Sequence, residues 1–215
     1  MKTEQVSIKG EADGPTSIFL ARKFPIKQPL REHIRHFMYR CRRKRAEKTI
    51  RANPHKLKKV IAYADAKYHL TEVPKTEERY QEHYLGTKES LILKHRPELF
   101  GSMARIQRPD VRNKEAVMEM CRQLQRRSEF AAGIADSEMP MDLHVYEIHM
   151  GGGIIEIVAD YRWDLLAISF TGNKKVMRKL QKITLELYLY YGVTEEDIKN
   201  RTERYRTLLI AICSR

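Results

Sequence analysis

Four consecutive cations, Arg42, Arg43, Lys44 and Arg45, are followed within a turn by Lys48 and preceded by Arg31 and Arg35. Guanidinium forks match the oxygens of phosphates and carboxylates, so the chemistry open to this run is recognition of a polyanion rather than the making of bonds. At 100° per residue, Arg31, Arg35, Arg42 and Arg45 fall within an arc of about 80° on one helix, with His36 and Tyr39 interleaved. From Arg31 to Lys59, twelve lysines and arginines stand against Glu32 and Glu47, so this segment holds +10 of the +13 net charge of a 215-residue chain. Charge concentrated in this way raises the local potential and draws RNA, DNA or an acidic protein. A solvated helix surface is the commoner fate of Lys/Arg-rich helices; the density of charge favours the partner.

A second constellation lies near the N-terminus, in Gly10-Glu11-Ala12-Asp13-Gly14-Pro15-Thr16-Ser17-Ile18-Phe19. Asp13 suits a cap, Gly14 permits an unusual backbone angle, and Pro15 with Thr16 suits the start of a helical turn. A structural loop is the leading reading and an ion site the second. This stretch resembles the Gly-Gly-Ala-Asp-Gly-Pro-Thr motif in the membrane-embedded beta subunits of sodium-translocating decarboxylases such as oxaloacetate decarboxylase. The resemblance covers about ten residues, with Glu11 in place of the second glycine. It implies a soluble relative or accessory of such pumps, with Asp13 matching the aspartate of the ion and carboxybiotin pathway.

A third set consists of Glu147, Glu156 and Asp160, carboxylates on expected strands. A two-residue loop at Gly151-Gly152 would set Glu147 opposite Glu156, and paired carboxylates can share a proton or a metal. That would be the basis of a small enzyme. Beyond it, the sequence lacks a P-loop, a His-Glu-x-x-His, a Gly-x-Ser-x-Gly and any named nucleic-acid motif. The eight histidines are scattered, and Cys41, Cys121 and Cys213 are isolated. No metal site and no cofactor is expected, and the cysteines read as free thiols in a reducing compartment.

The elements that must position these groups follow from periodicity. A helix from about Pro29 to Ala52 carries one apolar stripe, Leu30, Ile34, Phe37 and Cys41; Lys44 and Lys48 occupy its continuation. The second half of that helix is therefore expected to leave the core. Asn53-Pro54 reads as the cap and first residue of a second helix, with Leu57, Val60, Ile61 and Ala64 on one face. Helices over about Thr76–His95 and Asn113–Ala132 follow. From Asp142 the period becomes that of strands: Leu143–Met150, Ile154–Tyr161 and Leu165–Phe170, joined at Gly151–Gly153 and Arg162–Asp164. This predicts a three-stranded antiparallel meander. Two helices close the chain, separated at Gly192, with Thr194–Asp197 resembling a capping box.

The expected fold class is α+β: a helical N-terminal half, the meander, then two C-terminal helices. The expected regions are 1–27 (strand and motif loop), 28–112 (basic helices) and 113–215 (α+β core), or one domain spanning all three. No apolar run approaches the ~20 residues that cross a bilayer, and the start lacks a signal-peptide core, so a cytoplasmic protein without membrane insertion is expected. Its expected role is non-enzymatic binding of a polyanion through residues 31–59.

Overall fold

The computed structural model describes residues 30–107, 109–110 and 112–214, with the side chains of residues 30–33, 35 and 36 left aside. The chain runs α1 (Leu30–Thr49), α2 (Leu57–Tyr68), β1 (Thr71–Glu72), α3 (Glu78–His95), 3-10 turns over Pro97–Ala104, α4 (Lys114–Gly133), β2 (Leu143–Met150), β3 (Gly153–Asp160), β4 (Leu165–Gly172), α5 (Met177–Tyr191), α6 (Glu195–Asn200) and α7 (Glu203–Cys213). The fold is α+β, with the antiparallel meander β2-β3-β4 following helices and followed by helices. Two compact units result. One takes described residues 74–143; the other takes 30–73 and 144–214.

In the second unit the sheet order is β1-β2-β3-β4. The edge strand β1 pairs antiparallel with β2, Thr71 opposite Glu147. At two residues it is too short for a periodic signal. Gly152, at φ 91, makes the β2–β3 turn in a conformation that glycine adopts without strain. Ile157 lies opposite Ile168 across β3 and β4. Alternation sends Ile148, Ile155, Ile157 and Ala159 to one face, where Leu57, Val60, Ile61 and Ala64 of α2 and Leu180, Ile183, Leu187 and Tyr191 of α5 cover them. Leu180, Ile183, Leu187, Tyr205, Leu209, Ile155 and Ile157 are buried, while Ile198 and Ile168 are half-buried.

The Thr194 hydroxyl accepts from Asp197 N at 3.0 Å, and Asp197 accepts from Thr194 N at 2.9 Å, completing the capping box that starts α6. Arg201, at φ 49, then breaks the last helical stretch into α6 and α7. The segment before α2 departs from the sequence reading. Asn53 does not cap α2, which begins at Leu57; its N–H donates to Val193 O at 3.0 Å, and His55 N donates to Tyr191 O at 3.0 Å. The donors near Pro54 are thus used by the α5–α6 turn.

Arg204 ties that turn down. Its Nε donates to Gly192 O (2.8 Å), its Nη2 to Tyr191 O (2.7 Å) and His55 O (3.2 Å), and its Nη1 to Asp164 (3.0 Å). Its guanidinium carbon lies 3.6 Å from the centroid of the Tyr191 ring.

In the first unit, α3 packs on α4 and on the 3-10 turns. Asn113 caps α4 by accepting from Ala116 N at 3.1 Å. α3 runs unbroken through Gly86. Lys88 is buried, and its ammonium is satisfied by Ile134 O (2.6 Å) and Asp136 (2.9 Å). Asp136 also accepts from the Tyr84 hydroxyl at 2.7 Å.

Candidate polyanion interface

The basic run sits on the C-terminal half of α1. Arg42, Arg43, Lys44, Arg45 and Lys48 are all exposed, as is Arg40. The helix favours cations there, because its last carbonyls carry partial negative charge. Arg51 adds to this by donating to Lys48 O at 2.8 Å and Ile50 O at 3.0 Å. Arg43 donates to Glu47 at 3.0 Å, and that hydrogen bond raises the guanidinium pKa further.

The way this half of the helix is held corrects the sequence reading. It does not leave the core. Ala46 and Ile50 are buried against Tyr205, Leu208, Leu209 and Cys213 of α7 and Tyr188 of α5. Of the stripe expected to be buried, Ile34 is 49% exposed and Phe37 68%, while Cys41 is half-buried. At 100° per residue, Ala46 points about 120–180° away from Ile34 and Phe37. Alanine gives little hydrophobic signal, yet its small size lets helix backbones approach closely. Its flanking cations hide it further in the sequence.

Cys213, beneath this contact, has its thiol pushed up by burial, an effect that Arg43 and Arg42 partly offset. Arg42, Arg45 and Thr49 of α1, with Ala46 and Ile212, line a shallow open groove of ≈ 400 Å³. Its lining is mainly apolar, with Arg42 and Arg45 at its sides. Thr49 and Ile212 carry no motif; only the α1–α7 packing brings them to the groove.

Other expected residues fall elsewhere. The motif loop, Gly10, Asp13, Gly14, Pro15 and Thr16, lies outside the described residues, as do the side chains of Arg31, Arg35, His33 and His36. Each sheet carboxylate has its own local partner. Glu147 pairs with His149 at 2.9 Å, Glu156 accepts from Ser169 Oγ at 3.2 Å, and Asp160 accepts from Arg162 N and Trp163 N, each at 2.9 Å. Asp160 thereby shapes the β3–β4 turn. Among the described residues, no group of three His, Cys, Asp or Glu side chains is placed to hold a metal ion. No described helix is long and apolar enough to cross a membrane.

Comparison with known proteins found no family model, no curated protein and no solved structure that matches the chain.

Proposed function

We propose that the chain is a non-enzymatic polyanion-binding protein that engages nucleic-acid phosphates through the basic half of α1. The observation that carries this reading is the exposure of Arg42, Arg43, Lys44, Arg45 and Lys48 on a helix fixed to the core by Ala46 and Ile50. A cationic run held on a packed helix has its geometry set before binding, which lowers the entropic cost of association. The groove between Arg42 and Arg45 is open on the same side. Like charges at i, i+3 and i, i+4, such as Arg42 with Arg45 and Lys44 with Lys48, repel in the unbound protein and are relieved by an anion.

The test is retention on a heparin matrix at low salt. The wild-type chain should elute at markedly higher salt than a variant carrying Arg42→Gln, Arg43→Gln and Arg45→Gln with an unchanged circular dichroism spectrum. Passage of the wild type straight through the matrix would sink the proposal.

A further inference from the structure

We propose that the polyanion is a single-stranded nucleic acid, whose bases stack on the exposed rings of Phe37 and Tyr39 while its phosphates follow Arg40, Arg42, Arg43 and Lys44. This inference rests on the polyanion reading and names its partner. Phe37 is 68% and Tyr39 43% exposed, and Met38 and Arg40 beside them are exposed too. Successive residues step by 100°, so four exposed residues in a row open a full turn of α1 to solvent on every side.

Phe37 and Tyr39 lie about 160° apart around α1, and each has cations one or two turns further along its own flank. Arg40 and Lys44 stand at i+3 and i+7 from Phe37; Arg42 and Arg43 stand at i+3 and i+4 from Tyr39. The turn spacing of about 5.4 Å matches a base stacked on the ring with its own phosphate on the next cation. A strand that winds across this turn meets an aromatic face and cations on either flank, a recurring physical means of holding unpaired strands, because every base offers a π-face. A duplex keeps its base faces inside the stack and would leave both rings in water. A second copy of this helix would set one basic run against another. The mixture of rings and guanidiniums therefore complements an unpaired strand better than either.

The experiment is fluorescence anisotropy with a labelled oligothymidylate, a duplex of equal length, polyglutamate and anionic phosphatidylserine vesicles, each across a salt series. Oligothymidylate is expected to bind more tightly than duplex. Phe37→Ala, at an exposed position, should leave the melting temperature unchanged and weaken oligothymidylate binding about tenfold or more, with the salt slope unaltered. The Arg42→Gln, Arg43→Gln, Arg45→Gln variant should instead flatten the slope, by about 0.7 for each phosphate it no longer neutralises. Equal affinity for duplex and single strand, or no effect of Phe37→Ala, overturns the stacking inference and leaves the polyanion reading standing. Preference for polyglutamate or vesicles does the same and names another partner. Absence of binding to all four probes removes both.

Discussion

Arg204 is where one residue does most for the second unit. Four of its five N–H donors serve three backbone carbonyls and one carboxylate, and its plane covers Tyr191. Arg204→Ala strips these groups of their charged donor at once and should cost on the order of 2–4 kcal/mol in chemical denaturation. Arg206→Ala, exposed on the same helix, should stay within about 0.5 kcal/mol. Equal midpoints for the two variants would refute the assignment. Gly192 is constrained as tightly: at φ 63, a Cβ would meet Asn53 O at 1.9 Å. The stop at Gly192 is legible in the sequence, because glycine commonly follows helix ends, and φ 63 with ψ −165 is backbone open essentially to glycine alone. Its neighbour is not. Asn53-Pro54 carries a strong local cap signal, which the tertiary hydrogen bond from Asn53 N to Val193 O overrides. No local pattern encodes a partner 140 residues away, and Arg204 looks like any other surface arginine until three loops are brought to it.

Among the elements, the meander, α5 and the span of α1 are legible in the sequence, and the face that α1 buries is not. Short runs rich in Ile, Val and Leu, the first two separated by Gly151–Gly153, read as strands, and the repeat Leu180, Ile183, Leu187 has the period of a helix. Leu187 is fully buried in that core, so Leu187→Ala should cost ~2–5 kcal/mol and lower the melting temperature clearly. On α1 the large side chains of Ile34 and Phe37 stay in solvent, and the docking face rests on Ala46 and Ile50. Size misleads there, because hydrophobic pattern weights Phe37 above Ala46. The two faces give a paired prediction. Ile50→Ala should destabilise by ~2–4 kcal/mol, since it opens a cavity against α7. Replacing Arg42, Arg43 and Arg45 with Gln should leave the melting temperature unchanged or slightly raised, because repulsion is relieved. If the triple variant melts early and Ile50→Ala does not, the charged face is the structural one and the polyanion proposal loses its basis. The site itself is half legible: the cations and their exposure follow from the sequence, whereas Thr49, Ile212 and the groove come only from the packing of α1 on α7.

At the scale of the whole molecule, stability should have an acidic and an alkaline edge set by different groups. Burial pushes the Asp197 carboxyl up, but hydrogen bonds from Thr202 and Thr194 outweigh it and hold the group below its ordinary range. Glu186 follows the same pattern, with Lys67 and Tyr63 outweighing its burial, and Lys88 holds Asp136 low in the other unit. A depressed carboxylate contributes stability that is present above its unfolded pKa and is lost as pH falls through the folded one, so these groups place the acidic edge below about pH 4. The alkaline edge belongs to tyrosines. Burial pushes Tyr188 up to about 12, against the opposing hydrogen bond from Ile168 N, and burial raises Tyr191 as well. A raised phenol contributes fully below its unfolded pKa near 10, and the contribution is lost as pH climbs through the folded value. Melting temperatures should therefore be flat from about pH 5 to pH 9 and fall on either side. Tyr188→Phe separates this titration from simple packing. The ring still fills its place between α7 and β4, but Ile168 N loses its acceptor at 2.9 Å. The variant should start somewhat less stable at neutral pH, by about 1–2 kcal/mol, and lose less on going from pH 9 to pH 11 than the wild type. A parallel decline of the two proteins across that range would show that Tyr188 does not set the alkaline edge.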